Sequence, residues 1–291
     1  MRSKGGEPIS PVAILSIRTS RILVCVVLPL SCIFCIGGQL QAQLPFYTDD
    51  TAVTEFKKGH LEFFNEYDGL QLQDPNRTQN TANFKLNYGL PDSFEVDVDF
   101  PYLSIYKTEG NAPSQGFGDT NLGIKKSFRN ESAGSRVPAL AASFYIEFPT
   151  GDASQQLGSG LHDYWLNLIA QKSLSPATRV TVNAGYLFAG NTSTGAIGTT
   201  TRGHVFPGGI SLQHDFMSSL TLGAELFGAY AANGDLAKSQ LQAMAGGHYV
   251  IRKGLSFCFG LLGGKYVASP RIGGQIGFAI DFPDSYKPSI H

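Results

Sequence analysis

Charge is scarce in this chain of 291 residues: 15% of positions carry it, and the formal net charge is −1. That balance offers no basic patch for nucleic acid and no acidic tail. Cysteine is scarce as well. Of four, Cys25, Cys32 and Cys35 crowd near the N-terminus, which leaves Cys258 alone in the rest. A disulfide framework and a cysteine metal site are both excluded by that count. Helical periodicity is missing after the N-terminal forty or so residues. A mean hydropathy of −0.04 rules out a bundle of membrane-spanning helices. It does not exclude a membrane barrel, because half of every barrel strand is polar and the average cancels. Catalytic constellations are missing too. Six histidines are present (His60, His162, His204, His214, His248 and His291), but there is no G-x-S-x-G elbow and no paired-histidine metal motif. The expectation is a protein without enzymatic activity and without a cofactor.

What is present is alternation. In Thr81–Phe100, TANFKLNYGLPDSFEVDVDF, the residues Ala82, Phe84, Leu86, Tyr88 and Leu90 alternate with Asn83, Lys85, Asn87 and Gly89. After Pro91-Asp92-Ser93, a turn by composition, Phe94, Val96, Val98 and Phe100 alternate with Glu95, Asp97 and Asp99. Period-two alternation means one face meets something apolar and the other meets water. The pattern recurs at Asn121–Phe128, Pro138–Phe148, Asp163–Lys172, Arg179–Phe188, Val205–His214, Leu220–Tyr230, Gln240–Ile251, Leu255–Tyr266 and Arg271–Phe282. With a first strand near His60–Tyr67, that makes twelve candidate strands, an even number. Three positions spoil the pattern: the adjacent Phe63-Phe64, Ile169 among polar neighbours, and Lys126 on an apolar face. Lys126 lies near a strand end, where it can snorkel to the interface.

Link lengths supply the second argument. From the first link to the last they run long, short, long, shorter, long, short, long, short, medium, short, medium. Outer-membrane barrels pair short periplasmic turns with longer external loops in this way, and a sandwich has no reason to. Tyr88, Phe94, Phe148, Tyr164, Phe188, Tyr230, Tyr249 and Phe282 lie near strand ends, as interfacial girdles do. The fold expected is therefore an all-β, transmembrane, antiparallel up-and-down barrel of about twelve strands in the outer membrane of a Gram-negative-type bacterium. A soluble sandwich is the competing architecture.

The N-terminus reads as a signal peptide, residues 1–42. Arg2, Lys4, Arg18 and Arg21 form a long basic region, Ile22–Gly38 is apolar, and Gln39-Leu40-Gln41-Ala42 offers a cleavage site after Ala42. A retained membrane helix is the rival reading. Leu30-Ser31-Cys32 resembles a lipoprotein box, but Pro29 stands where an aliphatic residue is wanted. The barrel is expected over residues 43–282, entered through a polar lead-in with Thr48-Asp49-Asp50-Thr51, and residues 283–291 form a polar tail.

The polar faces carry Lys85, Glu95, Asp97, Asp99, Lys125, Glu147, Arg179 and Glu225, read here as lumen and selectivity residues. Ion pairs among these side chains could instead fill a barrel of this size. A second set, Asp119, Thr150, Asp152 and Asp163, falls at loop bases on the external side. It is either a polar entry site for solute or a set of turn-capping residues. Ser159 and His162 are the nearest thing to a nucleophile–base pair.

The strings FGDTNLGIKKSF, FYIEFPTGD and GSGLHDYWLNL, with TDDTAV, KKGHLEF and LPDSFEV before them, resemble the meta-pathway of phenol degradation family of transporter-like outer-membrane proteins. The likeness spans most of Leu44–Phe282. It implies an outer-membrane barrel that admits small hydrophobic or aromatic molecules, and no family catalytic residues carry over. Positions matching its recurring motifs are Asp119, Thr150, Gly151, Asp152 and Asp163. The function expected is passive passage of small solutes. A plugged structural or adhesive barrel and a membrane-embedded hydrolase are the alternatives. The partners expected are outer-membrane lipids, an unidentified small solute and the machinery that assembles such barrels, with no nucleic acid and no metal.

Overall fold

A computed structural model describes residues 44–72, 76–107, 112–132, 134–189, 203–232, 240–266 and 268–282. The expected signal peptide and the tail lie outside the described residues. The strands are β1 (Gly59–Gly69), β2 (Asn76–Leu90), β3 (Phe94–Lys107), β4 (Ser114–Phe117), β5 (Thr120–Arg129), β6 (Ala139–Phe148) and β7 (Asp163–Ser175). They continue with β8 (Thr178–Ala189), β9 (Gly203–Met217), β10 (Leu220–Ala231), β11 (Gln240–Arg252), β12 (Leu255–Gly264) and β13 (Ile272–Phe282).

All strand pairings between neighbours are antiparallel, and the sheet closes because β1 pairs with both β13 and β2 while β2 also pairs with β3. The barrel wall is twelve-stranded. The thirteenth strand, β4, is a short piece that continues the wall where β3 leaves β5. The lower half of β3 pairs with β5 through Asp99, and its upper half pairs with β4 from Tyr102. Gly118 bridges the break by donating to the Pro101 carbonyl at 2.8 Å. Sequence alone shows neither β4 nor the full reach of β2 and β3, which run well past Thr81 and Phe100 at the external end. Asn76–Asn80 reads NRTQN, polar at every position, so alternation has no contrast there.

The first hairpin turns at Pro91-Asp92-Ser93, where Asp92 (φ 58°) and Ser93 (φ 59°) adopt the left-handed conformation tolerated by short polar side chains. Lys126 reaches this turn, donates to the Asp92 carbonyl and lies 4.2 Å above the Phe94 ring. That is the snorkelling its position on an apolar face calls for.

Burial is inverted relative to a soluble protein. Outward-facing Leu168 is 57% exposed and Leu261 is 72%, whereas inward-facing Glu62, Glu95 and Glu225 are buried. An apolar exterior over a polar interior is stable only with lipid outside. The two irregular positions obey the same rule. Phe63 faces out and meets Phe84 at 4.9 Å between ring centroids, while Phe64 faces in and packs on Leu44, Cys258 and Ala279. Ile169 also faces in and is buried.

Candidate functional site

The lumen is built by rows of inward residues that the strand registers bring level. Glu62 on β1 lies opposite Lys85 on β2, Lys85 opposite Asp99 on β3, and Asp99 opposite Asn121 on β5. The row continues through Glu147 on β6 to Asp163 on β7. One step toward the periplasmic end, Asn87 lies opposite Asp97 and Gly123 opposite Tyr145, whose hydroxyl donates to Asp97 at 2.7 Å. Lys85 sits in the combined field of Asp97, Asp49, Glu62 and Glu95. All eight lumen residues read from the sequence thus face inward, and Arg179 is held there by Asp215 and Gln213.

The lumen also holds the chain's own lead-in. Residues 44–54 run inside the barrel, and residues 55–58 cross its rim to β1. Two kinds of contact fix them. Pro45, Phe46 and Thr48 lie in a groove of inward glycines on β9 to β12. A Cβ on Gly209 would stand 2.6 Å from the Thr48 methyl, one on Gly223 2.9 Å from the Phe46 ring, and one on Gly246 2.9 Å from the Pro45 ring. Beyond the groove, polar side chains take over. Glu225 accepts from the Tyr47 amide at 3.1 Å, the Thr48 amide at 2.5 Å and the Thr48 hydroxyl at 2.6 Å. The Tyr47 hydroxyl donates to Glu66, which Gln275 also contacts at 3.0 Å. Asn183 accepts from the Asp49 amide and donates to the Asp49 carbonyl. Lys125 donates to the Asp49 carboxylate at 2.7 Å, and Glu95 accepts from the Thr54 amide.

The segment leaves at the periplasmic rim. There Lys57 donates to the Gly89 carbonyl and Gly89 to the Lys58 carbonyl, and Lys57 itself is left-handed at φ 64°. Three residues read from the sequence as facing solute, Glu95, Lys125 and Glu225, therefore face peptide. The sequence held a signal of this: inward glycines clustered on adjacent strands leave a trough that something must fill.

At the external end three of the four mouth residues hold loops. The Asp119 carboxylate accepts from the Gly151 amide at 2.9 Å and the Ser159 amide at 2.6 Å. The Thr150 hydroxyl donates to the Gly118 carbonyl. Asp152 accepts from the Ser154 amide and hydroxyl and from the Gln155 side chain, and these bonds, the Ser154 hydroxyl foremost, hold its carboxyl below the usual aspartate range. The loop between β6 and β7 is thereby folded inward, with Leu157 packed on the lumen-facing Leu103 and Ile105. Asp163 faces the lumen beside Glu147 and is set apart from this loop-pinning group. Ser159 and His162 each engage another residue. The serine hydroxyl donates to the Leu161 carbonyl, and the imidazole lies edge-on to Phe148.

A closed barrel, with almost no helix among the described residues, a lipid-facing exterior and a polar lumen, defines the class: this is an outer-membrane β-barrel. Residues 78–282, more than half of the chain, match the family described as "Putative MetA-pathway of phenol degradation", and the chain belongs to that family. Among solved structures it is similar to the COG4313 outer membrane channel from Pseudomonas putida F1. The TM-score is 0.64 and the identity 13%, over 84% of this chain and 100% of that one. It is also similar to the NanC porin, at TM-score 0.53 and 8% identity over 76% and 98% of the two chains. The KdgM porin bound to disordered oligogalacturonate matches at TM-score 0.50 and 12% identity over 77% and 99%. No curated protein matches. At these identities the likeness is one of fold, and it agrees with the twelve-stranded outer-membrane barrel expected from the alternation and the link lengths.

Proposed function

We propose that this protein is a passive outer-membrane channel for small solutes, including hydrophobic and aromatic ones, and that it catalyses no reaction. The observation that carries this reading is the nature of what fills the lumen. A barrel built only as a structural wall can be closed by its own wall side chains. Here the filling is a peptide segment held by about a dozen polar contacts and a shallow groove, with no covalent tie to the wall other than its run into β1. Family membership supports the same reading, and so does the fold shared with channels and porins. Selectivity falls to the charges that the segment leaves free, Asp99, Glu147 and Arg179, together with Lys85, which sits among carboxylates. Asp163 extends the acidic row toward the mouth, where Asp119, Thr150 and Asp152 set the loop that solute passes. Lipid and the barrel-assembly machinery are the partners such a fold requires.

Planar-bilayer conductance tests the reading. The intact protein is expected to give small unitary currents, and removal of residues 44–54 is expected to raise them severalfold while the barrel remains folded. A barrel that stays silent with and without the segment would point instead to a structural or adhesive wall.

A further inference from the structure

Trp165 is the single tryptophan of the chain, and it faces away from lipid. Its neighbours on β7, Tyr164 and Leu166, point outward; Asp163, Asn167 and Ile169 share its inward face. Among the described lumen-facing residues of the barrel strands, it is the one large apolar side chain that stays exposed. The residue is 37% accessible, while Ile169 is 2%, Phe227 8% and Met244 2%. Every other inward apolar group of that size is covered by the N-terminal segment or by the wall.

The surroundings suit a flat guest. Tyr145 lies directly opposite Trp165, and its ring is fixed by the bond to Asp97 and by Gly123, where any side chain would collide with it. The indole nitrogen lies over Gly185, 3.1 Å from where a Cβ would stand, and the Pro207 ring closes the same corner at 2.9 Å. Among the described residues the indole N–H has no hydrogen-bond partner. One step toward the mouth, Glu147 and Asp163 face each other across the β6–β7 ladder, and Asp119 and Asp99 add to their field. One step toward the periplasm, Asn167 offers an amide.

We infer that Trp165, with Tyr145 beside it, is a binding platform on which a planar ring stacks in transit, and that the acidic row above it selects rings bearing a cation or a hydrogen-bond donor. Gly123 makes room for the Tyr145 ring and Gly185 for the indole nitrogen, so no wall side chain at these two positions stands between the rings and a guest. An aromatic face and a cationic group on one guest are recognised by the ring quadrupole and by the carboxylates together. An anionic ring meets the acidic row and is turned away. This inference rests on the channel reading for the word transit, but the platform itself does not.

The single tryptophan makes the test direct. Emission of the purified full-length protein in detergent micelles is followed while benzylammonium, cyclohexylmethylammonium and benzoate are added. Free N-acetyltryptophanamide in the same micelles serves as the reference for collisional effects. Benzylammonium is expected to give a saturable change. The saturated-ring analogue should be about tenfold weaker, the equivalent of one stacking contact, and benzoate weaker still. A linear response, or equal responses to the two ammonium compounds, overturns the platform. In bilayers, benzylammonium should interrupt the current of the intact protein and of Trp165→Phe, and should fail to do so in Trp165→Leu. A barrel that conducts no ions yet titrates saturably would sink the channel reading and leave the platform standing. One that conducts but shows no ring preference would do the reverse.

Discussion

The two sides of the lumen are built on opposite plans. On β9 to β12 the inner face holds a groove of glycines with Met244 and Leu262 beside it, and the chain's own residues 45–48 cover that groove. On β3 to β7 the inner face carries Asp97, Asp99, Glu147, Asp163, Tyr145 and Trp165, and the segment touches it mainly through Asp49 on Lys125 and Thr54 on Glu95. One wall is shaped to be occupied permanently; the other keeps its chemistry available. A barrel can thus divide its interior between self-recognition and solute recognition simply by where it places glycine.

Three variants probe that division. The largest effect is expected from Gly223→Leu. The new side chain would invade the space of the Phe46 ring, and overpacking of this kind costs about 1–3 kcal/mol. Expelling the segment relieves it, so unitary conductance should rise to the level of the variant lacking residues 44–54. If conductance is unchanged, the groove does not seat the segment. Next comes Lys125→Met, which strands the buried Asp49 carboxylate without its cation. Removing one partner of a buried pair costs about 3 kcal/mol, and urea unfolding of the vesicle-inserted protein should shift to lower midpoint accordingly. An unshifted midpoint would mean that Asp49 already lies in bulk-like water. The smallest effect belongs to the other wall. Glu147→Gln together with Asp163→Asn should leave the conductance level nearly untouched and move the reversal potential in a salt gradient toward weaker cation preference. A large conductance change from that pair would erase the distinction between the walls.

The wall of this protein was legible in its sequence because each outward position must be apolar and each inward one need not be. Leu166 and Leu168 against Asn167 carry that contrast at full strength. It fades where both faces are wet, which is why Asn76–Asn80 and β4 go unseen. It also fades where the inside is dry, which is why Phe64 and Ile169 look like errors until Leu44 and the packed wall are seen against them. The mouth was half legible. Asp119 and Asp152 were marked as either binding or capping residues, and short side chains beside glycine serve either purpose until the partners are known. Least legible was the lead-in. Thr48-Asp49-Asp50-Thr51 reads only as a polar lead-in, because hydrogen bonding by Glu225, Asn183 and Lys125 to backbone and to short polar groups leaves no periodic trace.

The segment inside the barrel runs without interruption into β1, and β1 is bonded along both of its edges, to β2 and to β13. The link at the rim is short, so the segment meets its groove as an intramolecular ligand at high effective concentration. Its path lies through the open periplasmic end, past Gly89 and Lys58, so leaving the groove breaks no pairing between strands.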